Sequence, residues 1–212
     1  IMGMQNSKYL VAGYPFENSA NDIKGVNNGT VYGATFVDGK IGRALSLDGV
    51  DDYVDLGNNY NIGLGSITVS CRVTRIVTNN LKILWSKAVG NDVNNYGILY
   101  NAGTLIFRFG LASNDIVVTA ASLPVNTFGL VTYVVDRNAG MLNVYVNTKL
   151  VGTGDISSMA AVNMVSSAPF LIGRYGNISD YFWGGKIDSF KIYNKALTQQ
   201  EIQRDYLNLP IL

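Results

Sequence analysis

The chain contains no histidine, one cysteine and two glutamates in 212 residues. Without histidine there is no imidazole to activate a nucleophile or to ligate a metal. A single cysteine, Cys71, excludes an internal disulfide. It sits in the strand-like run S-I-T-V-S-C-R-V-T, where a buried, inert thiol is expected. There is no run of eighteen apolar residues, so no membrane insertion is expected. Sixteen basic and fifteen acidic residues leave a net charge of +1 with no basic cluster, so no nucleic-acid footprint is present. No secretory leader is visible, and because the chain opens on Ile1 rather than Met its start is read as processed or truncated.

What is abundant points to sheet. The chain is 48% hydrophobic but only 15% charged, and it carries 23 glycines, which tolerate the positive φ of tight turns. Val69, Cys71 and Val73 alternate with Thr68, Ser70, Arg72 and Thr74, the period of a strand. Further runs lie at 83–87, 96–100, 104–109, 116–120, 129–136, 141–146, 170–174 and 185–193, the last with a slip in its alternation around Ser189. Asn101-Ala102-Gly103 and Arg137-Asn138-Ala139-Gly140 read as hairpin turns. One helix is predicted. Thr198-Gln199-Gln200-Glu201 is a capping box, and the helix runs from there to near Tyr206 with Ile202 and Tyr206 on one face, ended by Asn208 and Pro210. Many short strands and one short C-terminal helix predict an all-β protein, an antiparallel β-sandwich, in one domain over 1–212 with its core at about 9–207.

Four aspartates crowd the stretch L-D-G-V-D-D-Y-V-D-L-G at 47–57: Asp48, Asp51, Asp52 and Asp55. An extended strand sends alternate side chains to opposite faces, so this segment is not expected to bring its carboxylates to one point, as a cation requires. Asp48 and Asp51 are instead expected to accept turn amides.

Three blocks carry a resemblance. L-V-A-G-Y-P-F-E-N-S-A-N-D (10–22), D-G-K-I-G-R-A-L-S-L-D-G-V-D-D-Y-V-D-L-G (38–57) and F-W-G-G-K-I-D-S-F-K-I-Y-N-K-A-L-T-Q-Q-E-I (182–202) resemble, in order, the opening, most characteristic and closing blocks of laminin-G-like, concanavalin A-like lectin domains. The chain departs from that pattern at Lys24-Gly25-Val26, at Arg72, where an aromatic is usual, and at Asn147-Thr148, where Asp-Gly is usual. The resemblance implies a jelly roll whose first and last strands lie together, placing residues 10–20 beside 185–193. It also implies a structural Ca²⁺ held by Asp22, the loop around Gly25 to Asn28 and Asp188, since hard oxygen ligands of this mix suit calcium. Glucanase relatives carry paired carboxylates on one strand as E-x-D-x-E; no such run exists here, and Glu17 and Glu201 are far apart in sequence.

Sugar sites combine aromatic faces with amides and carboxylates. Two stretches read as loops of that chemistry. The first holds Asn91, Asp92, Asn94, Asn95 and Tyr96; the second, richer one holds Tyr175, Asn177, Asp180, Tyr181 and Trp183. Trp85, in an apolar run, is expected in the core. The expected function is a non-catalytic carbohydrate-binding or adhesion module, part of a larger surface protein. Its partner would be a glycan or a surface protein, its location extracellular or on a virion or cell surface. The alternative is a structural, decoration or fibre domain without a glycan ligand, forming a homo-oligomer or larger assembly.

Overall fold

A computed structural model describes residues 7–76, 78, 80–88, 95–110, 116–121, 123–176, 178 and 180–211. Fifteen strands are found among these: β1 (Leu10–Tyr14), β2 (Thr30–Tyr32), β3 (Thr35–Asp38), β4 (Arg43–Asp48), β5 (Tyr53–Asp55), β6 (Ile67–Val73), β7 (Lys82–Lys87), β8 (Asn95–Asn101), β9 (Thr104–Gly110), β10 (Ile116–Ala121), β11 (Gly129–Asp136), β12 (Met141–Val146), β13 (Lys149–Asp155), β14 (Phe170–Ile172) and β15 (Gly184–Tyr193). The helix α1 spans Gln199–Tyr206, and a short 3₁₀ turn lies at Ser157–Met159. One sheet has the order β13-β12-β11-β6-β15-β4-β3, with β1 also paired to β15; the other has the order β10-β9-β8-β7-β14-β5-β2. All strand pairs are antiparallel.

β15 joins the two ends of the chain. Gly184 to Ile187 pair with β4, and Phe190 to Tyr193 pair with β1, on the same edge of the strand. The handover falls where the register to β6 shifts between Asp188 and Lys191, with Ser189 at φ 55°. This bulge is the slip visible in the sequence alternation, and it lets one strand serve two partners.

The core between the sheets is aromatic. Trp85 stacks on Phe170 (centroids 5.2 Å, planes 10° apart) and meets Tyr133 and Phe190 edge-on. Cys71 is fully buried, and burial pushes its thiol pKa up. β6 differs from its expected half-buried pattern, because all seven of its residues are buried. The reason is a second cluster on its outer side, where α1 packs Ile202 with Leu10, Val134, Tyr145, Tyr193, Leu197 and Ile211.

The capping box of α1 is formed: the Thr198 hydroxyl accepts from the Glu201 amide, and Glu201 accepts from the Thr198 amide. Its buried face is Ile202 with Asp205, not Ile202 with Tyr206, which is 44% exposed. Asp205 is drawn inward by Lys191 (2.6 Å), Tyr193 (3.2 Å) and the Ser70 hydroxyl. Arg72 donates to the carbonyls of Asp205 and Tyr206, a cation at the helix C-terminus.

The β12–β13 hairpin turns on Asn147 (φ 49°) and Thr148 (φ 73°). Asn147 suits this conformation, but a β-branched threonine there is strained. Left-handed backbone costs an L-residue about 1–2 kcal/mol, and glycine loses about 0.5–1 kcal/mol through its freer unfolded chain. Thr148→Gly is therefore expected to stabilise by roughly 0.5–1 kcal/mol, a rise of about 1–4 °C in thermal unfolding for a domain of this size. A second test concerns Lys87, whose buried ammonium donates to Asn58 Oδ1 (2.9 Å) and the Ala168 carbonyl (2.7 Å), both neutral. Burial lowers its pKa from 10.5 to about 8. Between those values the unfolded chain holds a proton that the folded chain has released, so stability climbs as pH rises through that window, by at most about 1.4 kcal/mol per pH unit from this one site. Chemical denaturation of Lys87→Met across pH 7 to 11 is expected to show that rise abolished.

Candidate functional site

The aspartate-rich turn decides whether carboxylates are free for chemistry. Gly49 adopts φ 83° and folds the chain back between β4 and β5. Asp48 Oδ1 accepts from the amides of Val50 (2.8 Å) and Asp51 (3.4 Å), the expected turn role. Asp52 is buried, and its Oδ2 accepts from the Asp48 amide (2.9 Å). The expectation that these carboxylates stay apart is corrected: oxygens of Asp48, Asp51 and Asp52 lie within 4.8 Å of one another, because the segment is a turn rather than an extended strand. Burial raises the Asp52 pKa, the Asp48 amide opposes that shift, and the charges of Asp48 and Asp51 add to it. Asp55 is spent separately, accepting from the Gly57 amide (2.7 Å).

The residues expected to hold Ca²⁺ work in two different loops. Asp22 is buried. Its Oδ1 accepts from the amides of Gly13 and Lys24 (3.0 Å each), and its Oδ2 faces the amides of Val26 and Asn27 (3.4 Å each). Gly25 donates its amide to the Asp22 carbonyl, and Asn28 accepts the Asp22 amide. Asp188, fully buried, accepts from the amides of Lys40 and Ile41 (2.9 Å each) and from the Ser189 hydroxyl (2.7 Å). The two carboxylates share no hydrogen-bond partner: Asp22 organises the backbone at Gly13 and 24–27, and Asp188 that at 40–41.

The expected ligand residues divide four ways. Tyr96 and Trp183 are corrected to core positions, each 1% exposed. Tyr96 lies on the inner side of β8 and donates its hydroxyl to the Tyr60 carbonyl. Trp183 donates Nε1 to the Thr74 carbonyl (3.2 Å). Neither ring offers a face to solvent. Asn91, Asp92, Asn94 and Asn177 lie outside the described residues. Tyr181, at φ 69°, and Asp180 are exposed.

Asn95 and Tyr175 are brought together. On β8 the inward residues are Tyr96, Ile98 and Tyr100, so Asn95, Gly97 and Leu99 face away from the core. On β9 Phe107 and Phe109 are inward and Arg108 faces out. Asn95, Gly97, Arg108, Ser86 and Tyr175 line one depression on this outer side. Gly97 sets its floor, since a Cβ there would stand 2.6 Å from the Trp85 carbonyl oxygen. Ser86 donates its hydroxyl to the carbonyl of Arg174 (2.9 Å), tying the loop after β14 to the sheet.

Beside the depression runs a ladder that the sequence did not reveal. Tyr32 of β2 and Tyr53 of β5 are directly paired and stack at 4.5 Å with planes 9° apart. The Arg174 guanidinium lies 4.7 Å from the Tyr53 centroid and 5.6 Å from that of Phe182. Val54 points into the core, so Tyr53 points out, and Tyr32, on the edge strand, is 44% exposed. The alternation of Tyr53 with Val54 marks the outward side; the pairing with Tyr32 depends on register, which no local pattern encodes.

Removing the Asp188 carboxylate leaves two part-buried amides and the buried Ser189 hydroxyl unmet, at up to about 1–3 kcal/mol for a group that water cannot reach. Asp188→Ala is expected to lower the melting temperature by the same amount in calcium and in EDTA. Protection by calcium in the unmodified chain alone would contradict the amide-organising role.

A family model for the concanavalin A-like lectin/glucanase superfamily matches residues 48–203. No curated protein matches the chain. Among solved structures, domain 4 of AbnA, a GH43 extracellular arabinanase from Geobacillus stearothermophilus in complex with arabinotriose, superposes with a TM-score of 0.75 at 21% identity, over 93% of this chain and 98% of that one. The binding domain of Paraclostridial Mosquitocidal Protein 1 superposes at 0.76 and 19% identity, over 93% of this chain and 52% of that one. The binding domain of botulinum neurotoxin DC, in complex with rat synaptotagmin II, does so at 0.70 and 17% identity, over 94% and 51%. The chain thus spans about half the length of these toxin domains. The jelly-roll topology and the family match agree, and the chain belongs to the concanavalin A-like lectin/glucanase superfamily.

Proposed function

We propose that this protein is a non-catalytic carbohydrate-binding module that engages its ligand on the outer side of the β5–β14–β7–β8 region. The observation that carries this reading is the juxtaposition of the Ser86–Asn95–Arg108–Tyr175 depression with the Tyr32–Tyr53–Arg174 ladder. Tyrosine rings beside polar side chains are the chemistry that pyranose faces and sugar hydroxyls require. The arabinotriose bound to the AbnA domain supports a saccharide as the ligand class. A surface protein is the second partner class, supported by the synaptotagmin bound to the botulinum neurotoxin DC domain.

The placement of the two glutamates supports binding without catalysis. Glycoside hydrolysis uses two carboxyl groups flanking one bond. Here Glu17 accepts the Arg43 amide, and Glu201 is held by Lys195 and the helix cap. Neither stands on the outer face that carries the depression. The module is proposed to sit outside the cell or on a surface, where glycans are displayed.

Tyr175→Ala and Tyr32→Ala are each expected to weaken binding to a neutral trisaccharide such as arabinotriose by tenfold or more, with melting temperature unchanged within about 2 °C. Calorimetric titration checks this. Undiminished binding in the double variant would reject the outer-face site. Absence of binding across a glycan array, with a discrete oligomer by light scattering, would favour a structural role instead.

A further inference from the structure

This inference rests on the outer-face reading above and specifies its ligand. The arginines of the chain are mostly spent on oxygens. Arg43 donates to Asp38 and the Phe36 carbonyl, Arg72 to the end of α1, Arg75 to the Leu123 carbonyl, Arg137 to the carbonyls of Ala160 and Val162, and Arg204 to the Pro210 carbonyl. Arg174 is held differently. Its guanidinium is fixed by rings, over Tyr53 at 4.7 Å and near Phe182 at 5.6 Å, and Tyr53 is itself backed by Tyr32. Among the described residues no carboxylate stands within 4.0 Å of it and none of its N–H groups meets an acceptor. Its backbone is fixed as well, through the bond from Ser86 and the left-handed Gly173 (φ 87°) before it.

Rings satisfy the faces of a guanidinium, not its edge. The N–H groups lie in the plane, in a fork that matches a carboxylate with two parallel hydrogen bonds. Arg174 has its Nε buried, so the fork it can offer is that of the two terminal amino groups, held by the rings without first losing rotamer freedom, which lowers the cost of binding. It stands one residue from Tyr175 and on the side of the sheet toward which Asn95 and Tyr53 face.

We propose that Arg174 is the specificity-determining residue of this site, and that it receives the carboxylate of an acidic saccharide while Tyr175 and Asn95 meet the sugar ring. The acidic turn at Asp48 to Asp52 belongs to the same end of the sheet, so a ligand carboxylate gains only where the Arg174 fork reaches it directly.

The test titrates the unmodified chain and the variants Arg174→Lys and Arg174→Gln, by calorimetry, with trigalacturonic acid, its methyl ester, a trisaccharide ending in a sialic acid, a sulfated trisaccharide and neutral arabinotriose. The expected result is tighter binding of a carboxylated probe than of arabinotriose, by tenfold or more. Esterification is expected to abolish that preference. Arg174→Lys, which keeps the charge but not the fork, should lose it as fully as Arg174→Gln does, the preference being read within each variant as the ratio of its affinities for the carboxylated probe and for arabinotriose. The ester leaves the protein untouched, so a variant that folds poorly does not blur the outcome. Equal or weaker binding of both carboxylated probes relative to arabinotriose overturns the inference and leaves the outer-face site standing. Loss of the preference for carboxylate but not for sulfate supports it; full retention of the preference by Arg174→Lys overturns it, because a point charge then suffices. Loss of arabinotriose binding in Tyr175→Ala remains the separate measure of the site itself.

Discussion

One strand edge, shared between two partners, holds this fold together. β15 gives the first half of its edge to β4 and the second half to β1, while β6 runs along the other side. The two halves cannot meet one edge in a single register, and the bulge at Ser189 absorbs the mismatch. Asp188, paired with Arg72 at the edge of the bulge, takes the amides of Lys40 and Ile41, the turn that leads into β4. Strand, bulge and clasped turn thus form one unit. Phe190, two residues on, carries the constraint into the core, where it meets Tyr14, Trp85 and Phe170 and so orients the facing sheet.

The two outer faces of the sandwich have different fates. On the β6–β15 side, α1 and the C-terminal segment cover the sheet, with the Lys191–Asp205 pair beneath them, its side chains 3% and 2% exposed. A buried pair adds little net stability over an apolar substitute, yet leaving one partner alone costs about 3–5 kcal/mol. Ser70, Tyr193 and Arg72 surround Asp205 and its helix end, so the pair locks α1 to one place on the sheet. On the opposite sheet no helix lies among the described residues, and Tyr32 and Arg108 are exposed while Asn95 and Ser86 are buried.

The sequence was most readable where a local rule coincides with the fold. The capping box at Thr198, the period-two runs that became β6 to β12, the β8–β9 turn with Ala102 and Gly103 at positive φ, and the slip at Ser189 all appear where the pattern places them. β13, with Gly152 and Gly154 in place of apolar residues, carries no alternation to read. Those glycines are needed because a Cβ on either would fall within 2.5–2.8 Å of Val118. The outward tilt of Tyr206 and the inward pull on Asp205 follow from Lys191, a residue on another element, and helix periodicity alone does not contain it. The meeting of the two chain ends was legible only through the family resemblance.

The candidate site was less legible than the fold, for a reason rooted in how this chain uses polar groups. Aromatic, amide and acidic residues mark a sugar site in sequence, but most of them here are consumed within the structure. Trp183 and Tyr96 anchor the core through single hydrogen bonds to carbonyls, and Asp22, Asp48, Asp52 and Asp188 each hold amides of irregular backbone. The short carboxylates share the work of accepting backbone amides with asparagines such as Asn28, Asn61 and Asn147 and with hydroxyls such as those of Ser66 and Thr74. The proposed site draws on a different set: outward tyrosines, an amide beside Gly97, and a guanidinium clamped by rings. Those residues come from β2, β5, β7, β8 and the loop after β14, and only the register of the sheet brings them together.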